Sequence, residues 1–176
     1  MIVIMAGLPG TGKSTLARAL ASRLSGRILS KDEVRQALFS ESEIEYSTAQ
    51  DDFVMQAMLR TAEWIVRKDP ARVVFLDGRP FSRRYQLDLV LKTCAEIGQR
   101  WCILECICSE EIARKRIEEQ SAKGEHPAGN RDVGLYQEVK ARFEPITLPK
   151  TVIDTDLPLE TCEGQALAAI RSAEAG

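Results

Sequence analysis

The chain has 176 residues, a formal net charge of -2 at pH 7, and a composition that is 44% hydrophobic and 28% charged. These values are typical of a globular protein, and the length allows one domain with a sizeable core but hardly two. The sequence has no excess of basic residues, which disfavours a nucleic-acid partner without excluding one. A small-molecule substrate is therefore favoured.

No apolar run approaches the roughly 20 residues that are needed to cross a membrane, so no membrane partner is expected. The N-terminus also lacks the basic start and the cleavage site of a signal peptide. The sequence therefore predicts a cytoplasmic protein.

A glycine-rich turn between the first predicted strand (1–6) and the first predicted helix (16–24) is the most specific motif of the chain. It matches the pattern G-x-x-x-x-G-K-[ST] of a phosphate-binding loop, or P-loop. Its N–H groups and the positive end of the following helix would attract the phosphates of a nucleoside triphosphate. The residues expected to bind the nucleotide are Gly7, Leu8, Pro9, Gly10, Thr11, Gly12, Lys13, Ser14 and Thr15.

Two side chains of this loop have an expected role in chemistry. Lys13 would place a positive charge at the β- and γ-phosphates and is therefore a candidate catalytic residue. The Ser14 hydroxyl is expected to ligate Mg²⁺. ATP and Mg²⁺ are thus the expected cofactors, although the motif does not choose between ATP and GTP.

The rest of the chain alternates between predicted strands and predicted helices. The strands are 26–29, 72–77, 100–108 and 151–154, and the helices are 30–38, 51–68, 81–98, 109–122, 132–143 and 160–173. Alternation of this kind predicts an α/β fold, with a five-stranded parallel sheet covered by helices on both faces. Because right-handed crossovers put the carboxyl ends of parallel strands at one edge, residues that follow strands should converge on one cleft.

Asp32 and Arg35 follow the second predicted strand and lie three residues apart at a helix start, so they share one face. Phosphoryl transfer to a hydroxyl needs a carboxylate that orients the hydroxyl and takes its proton, and a guanidinium steadies the transferred group. We expect Asp32 and Arg35 to be catalytic and to contact the acceptor. The alternative is a helix cap with a surface ion pair.

Asp77 ends the third predicted strand, where it is expected to hold Mg²⁺, directly or through water, or to bind the acceptor. A turn residue is the alternative. Arg79, Arg83 and Arg84 follow it, and arginines near a phosphate site pair with anionic oxygens, so these three are expected to face the substrate. Solvated charges at a helix start are the alternative reading of the cluster.

The charged helix after the fourth strand and the polar connection 123–130 occupy the position of a lid over ATP. We expect the lid at about 110–131, within a single domain that covers 1–176. Arg116 is the predicted catalytic cation of the lid, and the other candidates are Arg114, Lys123 and Arg131.

Three of the five cysteines, Cys102, Cys106 and Cys108, have the same parity in one predicted strand and should face one side of the sheet. Without a Cys-x-x-Cys pair or a nearby histidine, they are expected to be core residues and not metal ligands. His126, the one histidine of the sequence, is expected to be an exposed loop residue.

The P-loop, the segment Leu29-Ser-Lys-Asp-Glu-Val-Arg35, and Val73-Val-Phe-Leu-Asp77 with its downstream arginines resemble the P-loop kinases. The chain is most similar to the branch that holds polynucleotide 5′-kinases, zeta-toxin-like kinases, chloramphenicol phosphotransferases and predicted kinases with an AAA-type ATP-binding domain. The resemblance covers nearly the whole chain and implies a three-layer α/β/α P-loop NTPase fold with a helical lid. In the polynucleotide kinases an Asp-x-x-Arg supplies the general base and a phosphate-contacting arginine, and Asp32 and Arg35 match it.

The chain departs from these relatives in the lid helix and after the third strand. Gln120 stands where relatives often carry a further arginine, and Gly78-Arg79 replaces a common Thr-Asn. The predicted function is transfer of the γ-phosphate of ATP to a hydroxyl of a small molecule. A polynucleotide 5′-hydroxyl or nucleotide kinase is the first alternative, and a non-kinase switch that binds or hydrolyses ATP is the second.

Overall fold

The computed structural model describes residues 1–123 and 133–175. The strands are β1 (Ile2–Ala6), β2 (Arg27–Ser30), β3 (Val74–Asp77), β4 (Trp101–Ile107) and β5 (Thr151–Asp154). The α-helices are α1 (Lys13–Leu24), α2 (Lys31–Leu38), α3 (Thr48–Lys68), α4 (Arg84–Glu96), α5 (Glu110–Lys123), α6 (Val133–Ala141) and α7 (Leu159–Ala175). The alternation of strand and helix confirms the predicted α/β fold.

The five strands form one parallel sheet in the order β2-β3-β1-β4-β5. In its centre, β1 places Ile2 opposite Val74 of β3 and opposite Trp101 of β4. β1 has β3 as its neighbour on one side and β4 on the other. The chain therefore changes from one side of β1 to the other between β3 and β4, and the strand order reverses beside β1. The loop after β1 therefore lies at the switch point where open parallel sheets bind ligands.

Helices cover the sheet on both faces, which confirms the predicted layers. Alternate residues of β1 point to opposite faces because side chains alternate along a strand. Ile2 and Ile4 pack with α3 and α4 in one core, and Val3 and Met5 pack with α1 and α7 in the other. This double burial explains why β1 is apolar at every position.

Three helix starts differ from the prediction by three residues. The first helix begins at Lys13, within the P-loop motif, and not at residue 16. The third helix begins at Thr48, earlier than predicted, because the Ser47 hydroxyl caps it by accepting a hydrogen bond from the Gln50 N–H at 3.1 Å. The fourth begins at Arg84 and not at Phe81, since Phe81 has a φ of +53° and cannot continue a helix. The earlier start of the third helix puts Asp51 within the first turn of α3.

The helix α5, which lies in the predicted lid, packs against α6 through Ala113, Ile117 and Tyr136. The connection between them, which includes most of the predicted loop 123–130, lies outside the described residues. Among the helices that the structure describes, none has the length and the apolar character needed to cross a membrane.

Cys102 and Cys106 lie in the core formed with α1 and α7, on one side of the sheet as predicted, and Cys108 packs partly buried beside α5. All the cysteines are free thiols. Within the described residues, no group of three His, Cys, Asp or Glu side chains could hold a metal ion.

Candidate nucleotide and acceptor site

The P-loop turns sharply at three glycines. Gly7, Gly10 and Gly12 have φ values of +128°, +79° and +75°, in the region that favours glycine. A Cβ at Gly7 would lie 2.2 Å from the Cys106 carbonyl oxygen, and one at Gly10 would lie 2.6 Å from the Ala113 carbonyl oxygen. The missing side chains therefore allow β4 and α5 to approach the loop backbone.

Lys13 is the first residue of α1, and its side chain is buried against the loop. Its ammonium group donates to the carbonyl oxygens of Gly7 at 2.9 Å and of Leu8 at 2.6 Å. The loop backbone thus holds the ammonium in place, and the positive charge lies inside the loop.

A cavity of about 910 Å³ opens beside the P-loop. Its walls come from the loop, the β2–α2 junction, the end of β3, the helices α5 and α6, and the segment after β5. The volume is in the range of small-molecule sites. Of the predicted nucleotide-binding residues, the ones that line it are Pro9, Gly10, Gly12, Lys13, Ser14 and Thr15.

Asp32 and Arg35 meet at the cavity wall as the spacing predicts. A terminal nitrogen of Arg35 donates to Asp32 Oδ1 at 3.1 Å, and its other terminal nitrogen contacts Asp51 of α3. Lys31 donates to the same Asp51 oxygen at 2.9 Å. Arg35 is only 1% exposed and Asp32 8%, so the pair is buried and is not the surface ion pair of the alternative reading.

Asp77, at the carboxyl end of β3, is buried and lines the cavity. Its Oδ1 has no hydrogen-bond partner among the described residues. A buried carboxylate oxygen without a partner is costly, and a cation or a cation-bound water would satisfy it. A carboxylate together with the Ser14 hydroxyl on the same cavity fits Mg²⁺, which usually takes few protein ligands and completes its shell with phosphates and water.

Arg116 of α5 bridges the P-loop to the segment after β5. Its guanidinium donates to Thr155 Oγ1 at 3.0 Å and to the Thr155 carbonyl oxygen at 2.8 Å, and it approaches the Gly10 carbonyl oxygen at 3.5 Å. The Thr155 hydroxyl in turn donates to the Thr11 carbonyl oxygen at 3.1 Å. The predicted lid cation therefore lies at the cavity, beside the loop.

Comparison with known proteins places this architecture in a family. The model of the family described as an AAA domain matches residues 2–146, which is most of the chain. The chain belongs to the AAA domain family. A search of curated proteins found no match.

Solved structures share the fold of this AAA-domain protein over nearly its whole length. A predicted kinase from Chloroflexus aurantiacus j-10-fl is 21% identical, with a TM-score of 0.75 over 96% of this chain and 97% of that one. A gluconokinase from Sinorhizobium meliloti 1021 is 19% identical, with a TM-score of 0.71 over 98% and 93%. The Mycobacterium tuberculosis APS kinase CysC, solved with AMPPNP and APS, is 16% identical, with a TM-score of 0.72 over 97% and 96%. The fold is thus that of P-loop kinases.

Three arginines that were predicted to bind substrate do not line the cavity of the AAA-domain protein. Each pairs with a carboxylate outside it: Arg79 with Asp52 at 2.6 Å, Arg83 with Glu144 at 3.2 Å, and Arg84 with Asp88 at 2.7 Å. Arg79 is buried, whereas the other two are exposed. Their role toward a substrate stays a prediction, and only the buried Arg79 forms a pair that is shielded from solvent on the arginine side.

The alternative lid cations are not brought to the cavity within the described residues. Arg114 pairs with Glu110 on its own helix, at 3.1 Å from Nε. The side chain of Lys123, and the whole of His126 and Arg131, lie outside the part of the chain that the structure describes. Arg116 is therefore the predicted lid cation that the structure places at the site.

Sequence reasoning gave no role at the cavity to Tyr46 and Asp51, whereas Lys31 and Thr155 were expected there only because they follow strands. Asp51 was predicted only as the first residue of the helix 51–68. Tyr46 has a φ of +52°, which is rare outside glycine, and its ring lies 5.1 Å from the Arg35 guanidinium carbon. Strained residues of this kind cluster at functional sites, but the sequence carries no signal for them.

Proposed function

We propose that this AAA-domain protein is an ATP-dependent kinase that transfers the γ-phosphate of ATP to a hydroxyl group of a small molecule. The observation that carries the proposal is the placement of Asp32 and Arg35 on the same cavity as the P-loop. Simple hydrolysis of ATP would not call for this pair, whereas transfer to a hydroxyl needs both a base and a charge-stabilising group. The kinase fold supports the same assignment.

The donor would bind along the P-loop. The loop N–H groups and the N-terminus of α1 would hold its phosphates, with Lys13 beside the β- and γ-phosphates. Ser14 and Asp77 are the oxygen donors that fit Mg²⁺, which when bound neutralises charge on the phosphate oxygens. Arg116 supplies a further cation at the cavity.

In the proposed step, the acceptor oxygen attacks the γ-phosphorus while the bond to the β,γ-bridging oxygen breaks. The leaving bridging oxygen keeps the electron pair and departs as part of ADP. The hydroxyl proton passes to the Asp32 carboxylate and from there to solvent. Arg35 steadies the charge that spreads over the transferred phosphoryl group.

A small acceptor is favoured over a polynucleotide. The arginines that would serve acceptor phosphates, Arg79, Arg83 and Arg84, are paired and lie off the cavity lining. The net charge of -2 provides no general attraction for a polyanion. Among the proteins of similar fold, the gluconokinase is named for a small-molecule acceptor.

The test is the variant Asp32→Asn, which keeps the size of the side chain and removes the base. We expect acceptor-dependent ADP release to fall by about 10²- to 10⁴-fold, with the affinity for ATP changed by no more than roughly twofold. Turnover is measured by coupled ADP release, and ATP binding by calorimetry.

Asp69→Asn is the matched control, because Asp69 is an exposed carboxylate outside the cavity lining. Full activity of Asp32→Asn would contradict the proposed base. Loss of ATP affinity together with turnover would instead assign Asp32 a structural role. ATP hydrolysis that no acceptor stimulates, and that Asp32→Asn leaves intact, would favour the switch alternative.

A further inference from the structure

The acceptor side of the cavity contains a compact cluster of charges, Lys31, Asp32, Arg35 and Asp51, which we name the acceptor cluster. Arg35 bridges the two carboxylates, and Lys31 contacts Asp51 at 2.9 Å and Asp32 at 3.8 Å. Two positive charges thus face two negative ones, and all but Asp51 are buried. The cluster is electrically balanced before any acceptor binds.

This balance has a consequence for an anionic acceptor. The Lys31 ammonium and both terminal nitrogens of Arg35 are already paired with carboxylates, and only the Arg35 Nε–H lacks a partner among the described residues. A phosphate or carboxylate on the acceptor would therefore have to compete with those pairs. It would also meet two negative charges in a partly buried site, which is a strong electrostatic penalty. The other cavity cations lie at the nucleotide end (Lys13 and Arg116) or are exposed (Arg18, Arg27 and Arg142).

The same cluster suits hydroxyl groups. The hydrogen bonds and ion pairs that Asp32 and Asp51 form with Lys31 and Arg35 run to Oδ1 of each carboxylate. The Oδ2 atoms of both carboxylates are therefore the acceptor positions left for a ligand, and an ionised carboxylate can only accept hydrogen bonds. Two carboxylates on either side of Arg35 would accept from two different hydroxyl groups of one molecule.

Tyr46 adds an apolar surface to this end of the cavity. It lines the cavity, and its ring packs over the Arg35 guanidinium at 5.1 Å. An aromatic ring with a polar tip packs well against a molecule that has both C–H and O–H groups. Its φ of +52° is a conformation that the surrounding structure must hold in place, as at ligand-binding positions.

We infer that the phosphate acceptor is an uncharged, sugar-like polyol, held by two hydroxyl groups on Asp32 and Asp51 and packed against Tyr46. The inference rests on the proposed kinase function and names its substrate class. One hydroxyl is the nucleophile on Asp32, and a second hydroxyl binds Asp51. An acceptor with a phosphate or carboxylate group is disfavoured because Lys31 and both terminal nitrogens of Arg35 are paired with carboxylates, and the donor that Arg35 has left, its Nε–H, is needed for the transferred phosphoryl group.

The experiment compares two sets of acceptors by coupled ADP release at saturating ATP. The uncharged set is glycerol, ribitol, glucitol and glucose. The charged set is gluconate, ribose 5-phosphate and a short oligonucleotide with a 5′-hydroxyl. We expect at least one uncharged polyol to give a kcat/KM roughly tenfold or more above every charged compound.

Asp51→Asn supplies the second readout. It removes a negative charge and leaves the cluster with a net positive charge, so the ratio of uncharged to charged kcat/KM should fall by roughly tenfold or more. Glu63→Gln on the same helix is the matched control, because Glu63 pairs with Arg67 outside the cavity lining. Tyr46→Ala should raise the KM for the polyol, and Tyr46→Phe should retain most of the affinity because it keeps the ring.

The outcomes separate the two proposals. Stimulation by a charged compound or by the oligonucleotide, and not by any polyol, overturns the polyol inference and leaves the kinase in place. An unchanged specificity ratio in a folded Asp51→Asn variant also overturns it. If no compound of either set stimulates ADP release, the polyol inference fails, and the kinase function is then overturned only if Asp32→Asn also leaves the ATP hydrolysis intact.

Discussion

At the scale of single residues, the P-loop depends on the absence of a side chain at Gly7. Its φ of +128° is unfavourable for any other residue, and a Cβ there would lie 2.2 Å from a backbone oxygen that cannot move without bending β4. The Gly7 carbonyl oxygen also accepts the hydrogen bond from Lys13. A shift of Gly7 would therefore move the ammonium that we assign to the phosphates.

We expect Gly7→Ala to lower the free energy of unfolding by about 1 to 3 kcal/mol from backbone strain alone, and to weaken ATP binding as well. Chemical denaturation and calorimetry measure the two effects. Gly164→Ala is the control, because Gly164 lies on α7 and a Cβ there would have open space around it. This variant should stabilise the protein by about 0.5 to 1 kcal/mol, since alanine is favoured over glycine within a helix. Unchanged stability and ATP affinity in Gly7→Ala would contradict the close approach of β4.

Single residues also show which contacts of the site can be predicted from the local sequence. Asp32 and Arg35 were predicted to meet because a spacing of three residues puts them on one helix face, and they do. Asp51 was not predicted to join them. Its contact with Arg35 depends on the position of α3 beside α2, which no local spacing encodes.

At the scale of elements, a polar contact joins the helices α5 and α6. Glu110 at the start of α5 accepts hydrogen bonds from Lys140 and from Gln137 of α6, the latter at 3.0 Å. These donors hold the pKa of Glu110 below its ordinary value of 4.5. A carboxyl group with a lowered pKa in the folded protein stabilises it above the ordinary pKa, and this contribution is lost as the pH falls through the lowered value.

The Glu110→Gln variant should therefore have a lower Tm than the parent protein at pH 7, and the difference should shrink as the pH falls below about 4.5. Thermal unfolding monitored by circular dichroism between pH 3 and pH 7 measures it. Glu118→Gln, an exposed carboxylate on the same helix, should show a smaller difference at every pH. A Tm difference that does not depend on pH would contradict the role given to the Glu110 charge.

At the scale of the whole molecule, the sheet and its two covering layers bury most of the cysteine thiols. Burial raises the pKa of Cys94 and Cys102 to about 11 and that of Cys106 to about 12. Cys108 is half-buried beside the P-loop, and burial raises its pKa too. The thiolate is the reactive form, so exposure and pKa together set the order of reaction.

In the native protein at pH 8, we expect iodoacetamide to modify Cys108 first and to leave Cys94, Cys102 and Cys106 largely unmodified until the protein unfolds. Mass spectrometry of the digested protein gives the extent at each position. Unfolding in guanidinium is the control, since all the thiols should then react at similar rates. Early modification of Cys106 would show that β4 is less protected than this packing requires.

The sequence by itself determined the fold class and the nucleotide side of the site. Strand and helix alternation, and the spacing of Gly7, Gly12, Lys13 and Ser14, are local patterns that depend on the periodicity and conformational freedom of neighbouring residues. Only the tertiary structure decided which residues join Asp32 and Arg116 at the cavity. The contacts of Asp51 with Arg35 and of Arg116 with Thr155 join residues far apart in the chain, and they arise from how helices pack at the edge of the sheet. That packing also paired Arg79 with Asp52 and Arg83 with Glu144 away from the cavity, whereas Arg84 pairs with Asp88 one turn along its own helix.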